Sequence, residues 1–309
     1  MNSHVTLRAA RAAVRHSPLG APARLVSAID RQLARAALPA RARTRHGVVH
    51  QVDTTDVIQR YLYLFGVWEP GITAWLCDAL APGDTFVDVG ANIGYYTLLA
   101  SRLVGPTGAV VAIEPCPPHR QALEQAIAEN RADNVRVIAA ATSDAAGTLN
   151  LHLGTPDNIG NTSILPVPGS TTDYAVPAGP LPLLLTQHEA RTARLLKIDV
   201  EGAEALVVRA LDDLLDHARD DLEILIEVTP RSLRKLGHTV DEVLAPFAAR
   251  GYTALRIEND YDPASYGRQR RRPRPPTPIA AQITAMADLL LTRNPDRPPR
   301  PQAAGRSTR

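Results

Sequence analysis

Cysteine is nearly absent from this chain. Cys77 and Cys116 are the two it has, too few for a disulfide framework and in keeping with a reducing cytoplasm. Lysine is as scarce, at Lys197 and Lys235. No apolar run approaches a membrane span; the longest are strand-sized, such as "AVVAI" (109–113). No compact apolar segment follows the first arginines, so no secretory signal is expected. Acids are rare at both ends. Residues 1–46 hold nine Arg and one acid, Asp30, and residues 267–309 hold ten Arg and two acids. The stretch 47–266 is left with 15 basic and 29 acidic residues. An acidic centre does not attract nucleic acid. The basic ends read as solvated segments filled by a composition rich in Arg, Ala and Pro.

What is present is length and a core-forming composition: 309 residues, 45% of them hydrophobic. That allows one large domain with extensions. Residues 1–46 read as an Arg/Ala-rich helical extension, with Leu25, Ile29 and Leu33 at helical spacing. "HGVVHQVD" (46–53) reads as a strand. "TDVIQRYLYLFGVWEP" (55–70) reads as a helix broken at Pro70, and "ITAWLCDAL" (72–80) as another.

From residue 84 short apolar runs alternate with helix-length amphipathic segments. The runs are "TFVDV" (85–89), "AVVAIE" (109–114), "NVRVIAA" (134–140), "RLLKIDV" (194–200) and "LEILIEV" (222–228). Residues 95–104, 117–131 and 203–216 lie between them as helices. This alternation predicts an α/β fold with a parallel sheet covered on both faces. "HTVDEVLAPFAARGY" (238–252) reads as a helix with a capping box at Thr239 and Glu242. "YTALRI" (252–257) and "ADLLLTR" (287–293) read as two last strands. "YGRQRRRPRPPTP" (266–278) reads as a loop between them, and 294–309 as a disordered tail. "GTPDNIGNTSILPVPGSTTDY" (154–174) is a long polar loop, of a kind often functional. Its Asn161-Thr162-Ser163 fits a glycosylation sequon, discounted without a signal peptide.

The stretch "DTFVDVGANIGYYTLLA" (84–100) concentrates the chemistry. Gly90 permits a sharp turn, Asn92 tolerates a left-handed conformation, and Gly94 lets the following helix pack closely. The pattern D-x-G-x-N-x-G differs from the G-x-G-x-x-G of dinucleotide binders. Asp88, beneath the turn, repels a pyrophosphate and suits a cationic ligand. S-adenosylmethionine carries both an ammonium and a sulfonium. Glu114, closing the next apolar run, is placed to grip ribose hydroxyls. Asp144 is a weaker candidate for the adenine amino group.

These residues resemble the FkbM-type methyltransferases. The resemblance rests on "DTFVDVGANIGYYTLLA", "AIEPCPPHRQALEQAIAEN", "NVRVIAAATSDAAGTLNLHL" and above all "KIDVEGAE" (197–204), with "YLYLFGVWEPGI" and "LEILIEV" at either side. It implies a methyltransferase domain over 47–293, with the cofactor-binding core at 84–228. It also implies a class I methyltransferase fold, a Rossmann-like three-layer sandwich whose seven-stranded sheet ends in an antiparallel strand. The implied donor is S-adenosylmethionine. The implied reaction is O-methylation of a sugar, polyketide or other specialised metabolite. The family's acidic segment before the fourth strand is missing here, where "LPLLLTQHEA" (181–190) has no Asp.

For a hydroxyl acceptor, a base or a metal that lowers its pKa assists transfer. Asp199, Glu201 and Glu227 sit at the strand ends where such groups belong. Lys197 and Asp199 share a strand face by period two, as catalytic base and neighbour or as a structural ion pair. His119, His152, His188 and His238 show no ligand spacing and read as surface residues. Pro115-Cys116 lies on the adenosine side, away from any acceptor. The end of the fourth run, "DVEG", lacks the Asn/Asp-Pro-Pro-Tyr of amino-methylating nucleic-acid enzymes. The expected partner is a small hydroxylated acceptor, with no nucleic acid and no membrane. The two other readings are a nicotinamide oxidoreductase, opposed by Asp88 and the missing third Gly, and a cofactor-binding protein without catalysis.

Overall fold

The computed structural model describes residues 11, 12, 14, 15, 21–160, 162–166 and 173–297. Asn161 of the sequon and the tail beyond residue 297 lie outside the described residues.

The helix Ala23–Ala36 buries Val26, Ile29 and Leu33, while Leu25 is turned to solvent. The rest of the N-terminal segment departs from a purely helical extension. β1 (Pro39–Arg43) pairs antiparallel with β2 (Val49–Asp53). The Ala/Arg alternation of β1 leaves one buried side chain, Ala42, too weak a pattern to announce a strand. The helix Val57–Phe65 ends at Gly66, in the left-handed region, and Pro70 opens the helix Pro70–Ala79 instead of breaking the one before. A proline at the first helical position loses no hydrogen bond, because that N–H has no intrahelical partner.

The central sheet begins with β3 (Thr85–Val89), β4 (Ala109–Ile113) and β5 (Val135–Ile138), all parallel. A separate small sheet follows, built from β6 (Ala141–Thr142), β7 (Gly147–His152) and β8 (Asp173–Gly179). The main sheet resumes with β9 (Ala193–Ile198), β10 (Glu223–Val228), β11 (Thr253–Ile257), β12 (Thr277–Pro278) and β13 (Ala287–Thr292). Its order is β12-β11-β13-β10-β9-β3-β4-β5. β13 runs antiparallel to both β10 and β11. The strand order reverses beside β3, where an open α/β sheet offers its ligand crevice. The sheet has eight strands where seven were expected, because two-residue β12 adds an edge. The segment expected as an Arg/Pro loop is only partly one. Pro263–Arg271 is helical, capped by Asp262 through Ala264 N, with Pro263 at its start.

Period two divides the strands between two cores. Phe86, Leu195, Leu225 and Leu290 pack on one face with Leu62, Leu64 and Leu99. Val87, Leu196, Ile226 and Leu289 pack on the other with Val207, Val243 and Phe247. The first face turns polar at the carboxyl end of the parallel strands. Asp88 pairs in register with Lys197, and Glu227 with Asp288. No helix among the described residues is long and apolar enough to cross a membrane.

Candidate functional site

A cavity of about 370 Å³ opens over the carboxyl ends of β3, β4 and β9. One end is built by the turn after β3. Gly90 N and Ala91 N donate to Ile113 O at 3.0 and 3.1 Å, laying the turn across the end of β4. Asn92 follows in the left-handed region at φ 51°. Its N–H donates to Glu114 Oε2 at 2.7 Å, and Cys116 N donates to Glu114 Oε1 at 2.8 Å. Burial pushes the Glu114 carboxyl up to about 7 against the pull of those two amides. Gly90, Asn92 and Glu114 all line the cavity. The Glu114 oxygens retain lone pairs for ribose hydroxyls, and a backbone without side chain at Gly90 lets a ligand come close, so the residues fit S-adenosylmethionine.

The other cofactor candidates lie elsewhere. Asp88 is buried beneath the turn, outside the cavity wall, where Thr97 Oγ1 donates to its Oδ2 at 2.6 Å. Burial raises its pKa, and Lys197 beside it lowers it. Gly94, at φ 85°, caps the next helix and sits against Leu123 of the helix Pro117–Asn130, away from the cavity. Asp144 is half-exposed, 3.8 Å from Arg209. Thr142, two residues earlier, does face the cavity, and its buried hydroxyl has no hydrogen-bond partner among the described residues. The polar loop closes the cavity over this end, with Asn158, Gly160 and Thr162 in the wall. Ser163 ties it down through a 2.7 Å hydrogen bond to Glu201 O.

The opposite end is acidic. Asp199, Glu201 and Glu227 all face the cavity, each with an oxygen within 4.8 Å of the other two. Lys197 Nζ donates to Asp199 Oδ2 at 2.8 Å, so the ion pair foreseen for these two exists and borders the cavity. Burial alone would lower the Lys197 pKa, but Asp199 and Asp88 together carry it above its ordinary value. Like unit charges about 4 Å apart repel by roughly 4 kcal/mol near a protein surface, and one lysine cannot offset three carboxylates. Burial, then Asp199 and Glu204, push Glu201 up to about 8. Burial, then Asp199 and Glu201, push Glu227 well above the carboxylate range, and its Oε1 is buried without a hydrogen-bond partner among the described residues. Protons or one hard divalent cation can neutralise the trio.

Two residues of the cavity wall, Glu69 and His119, were not legible beforehand. Glu69 is 5% exposed and accepts from Tyr96 and Tyr261, each at 2.5 Å. Burial, then Asp199, raise its pKa. These residues are 27 and 192 positions away in the chain, and a Glu before a Pro reads as a surface helix cap. His119 departs from its surface reading. It is buried in the cavity wall, and burial lowers its pKa to about 4, so it is neutral. His238 is buried as well, between Arg209 and Glu242.

Glu114→Gln is expected to weaken cofactor binding by about tenfold or more, since each charge-assisted hydrogen bond contributes about 1.5–3 kcal/mol. Its amide group would also face an N–H donor in the turn. Calorimetry with S-adenosylhomocysteine checks this, and unchanged affinity would remove Glu114 from the ribose site.

A doubly covered, mainly parallel sheet with an antiparallel last strand, and an acid-gripped turn at its switch point, define a class I, S-adenosylmethionine-dependent methyltransferase domain. The family model described as "Methyltransferase FkbM domain" matches residues 88–254, more than half of the chain. The chain belongs to that family. The nicotinamide oxidoreductase reading therefore falls. A curated relative, arsenite methyltransferase of Halobacterium salinarum, is 37% identical over 57 residues. That match covers 18% of this chain and 15% of the relative's length. Among solved structures, methyltransferase FkbM from Methylobacillus flagellatus KT is 13% identical, with a TM-score of 0.41 over 85% of this chain and 57% of that one. Cofactor-bound Rv0187 from MTB is 14% identical, with a TM-score of 0.40 over 94% and 98%.

Proposed function

We propose that this chain O-methylates a hydroxyl of a small specialised metabolite, with the group Asp199, Glu201 and Glu227 receiving the acceptor's proton. The observation that carries this reading is the convergence of those three carboxylates on the wall of the cavity that also holds Gly90 and Glu114. Bound there, S-adenosylmethionine supplies a methyl group on a sulfonium. The protein's tasks are to align the hydroxyl, exclude water and take up a proton. A base works best with a pKa near the operating pH, and Glu201, at about 8, meets that condition. Asp199, fixed by Lys197, orients the hydroxyl or accepts its proton.

The test is transfer from methyl-labelled donor to a panel of hydroxylated sugars and polyketides, with the product's new bond assigned by NMR. A methoxy product is expected, formed at a rate that rises with pH through about 8. A methyl on carbon or nitrogen would contradict the reading. Intact cofactor binding with no transfer to any panel member would favour a non-catalytic binding protein.

A further inference from the structure

A second cavity, of about 380 Å³, adjoins the first and shares Tyr261 and Met286 with it. The helix and turn that replace the expected Arg/Pro loop form one side. Arg256, Arg268, Arg272 and Arg274 line it, together with Glu258, Asp260 and Asp288. All three acids are engaged. Glu258 pairs with Arg274. Asp260 accepts from Ser265 Oγ at 2.7 Å and Asp262 N at 3.0 Å, with Arg268 and Arg274 near enough to help hold its carboxyl below the usual range. Asp288 accepts from Asn259 Nδ2 at 2.8 Å, and burial, then Glu69, raise its pKa well above the usual carboxylate range. Arg256, Arg268 and Arg272 have neither a hydrogen bond from the side chain nor an ion pair with any described residue.

Charge is thus sorted between two joined cavities. The first presents Glu69, Asp199, Glu201 and Glu227, and its one cation, Lys197, is already paired with Asp199, so it offers an anion no free positive partner among the described residues. The second presents three guanidinium groups that make no side-chain hydrogen bond or ion pair with a described residue, and their planar forks match the oxygens of phosphate and carboxylate. We propose that the acceptor carries a phosphate or carboxylate group, held in this arginine cleft while its hydroxyl passes Tyr261 and Met286 into the acidic cavity. The hydroxyl part rests on the O-methylation reading, but the anion site is testable by binding alone.

Protein saturated with S-adenosylhomocysteine is titrated at low salt with inorganic phosphate, glucose 6-phosphate, glucuronate and glucose. Saturable binding of an anion is expected, with none of glucose. Phosphate or glucose 6-phosphate binding alone identifies a phosphate site, and glucuronate alone a carboxylate site. The triple variant R256S/R268S/R272S should bind the anion at least about tenfold more weakly, as loss of charge-assisted contacts requires, with unchanged S-adenosylhomocysteine affinity. The charge-matched R24S/R31S/R35S, altered on the exposed face of the helix Ala23–Ala36, should bind like wild type. If the triple variant does not fold, the single variants R268E and R272E serve, each with the same expectation. The proposal is overturned by absence of saturable anion binding, by full affinity in the cleft variants, or by equal loss in the charge-matched control. An RNA oligonucleotide held by the same arginines more tightly than glucose 6-phosphate overturns it too. None of these outcomes depends on methyl transfer, so failure here leaves the O-methylation reading to its own test.

Discussion

Gly90→Ala is expected to lose roughly 3–4 kcal/mol of stability and, with it, measurable cofactor binding. A Cβ at residue 90 would stand 1.8 Å from the carbonyl oxygen of Asp199. That atom is backbone and cannot rotate away. Asp199 N meanwhile donates to Val89 O at 3.0 Å, so the ends of β3 and β9 are locked together where the methyl group would intrude. Residue 90 also lies at φ 82°, a left-handed conformation that costs an alanine about 1–2 kcal/mol by itself. Relief requires parting the two strands that carry the glycine turn and the acidic end. Gly94→Ala provides the contrast. Its Cβ would meet Leu123 Cδ1 at 2.4 Å, the tip of a side chain that can repack, so most of its cost is the left-handed backbone at φ 85°. Urea denaturation should rank Gly90→Ala well below Gly94→Ala, and calorimetry with S-adenosylhomocysteine should rank them alike. A Gly90→Ala protein with the wild-type midpoint would show that the turn is not held as described.

The sheet was readable because its strands are continuous apolar runs bounded by turn residues. "TFVDV", "AVVAI" and "LEILIEV" fall on β3, β4 and β10 within a residue. The turn over the end of β4 was readable because it is local: Gly90, Asn92 and the strand-ending Glu114 are set by spacing along the chain and all line the cavity. Period two also placed Lys197 and Asp199 on one face, and their 2.8 Å contact follows from it. What stayed hidden depends on pairing between distant strands and helices. Nothing in "WEP" marks Glu69 as the acceptor of two tyrosines, and nothing in "ADLLLT" sets Asp288 opposite Glu227 until β13 reverses beside β10. Asp88 illustrates the other limit. The sequence shows an acid below a glycine turn, but only packing shows that Thr97 and Lys197 take up its charge and the cavity does not. The Arg/Pro segment concealed a helix because its arginines dominate its composition, while Tyr266, its one fully buried side chain, packs against Tyr61 and Phe65.

Asp199→Asn is expected to slow methyl transfer by about 10²–10⁴, the usual cost of losing a positioned base, and also to lower stability. Both losses are expected in the single variant, because Asp199 lines the cavity and also pairs with a lysine that is 4% exposed. Breaking one side of a buried pair typically costs about 3–5 kcal/mol. Here Asp88, the register partner of Lys197 across β3, remains to share the cation, so the lower end of that range is expected. The roles separate in a second protein. Lys197→Met with Asp199→Asn removes both charges and keeps the volume, and replacing a whole buried pair with neutral groups is often harmless. Asp88 then loses its cation and takes up a proton, the direction in which burial already pushes it. The double variant should therefore melt near the wild-type temperature. If Asp199 orients or deprotonates the acceptor, its turnover stays as low as that of Asp199→Asn. If Asp199 serves only to hold Lys197, turnover returns together with the melting temperature. That recovery would move the base to Glu201, whose carboxyl at about 8 already lies nearest the working pH.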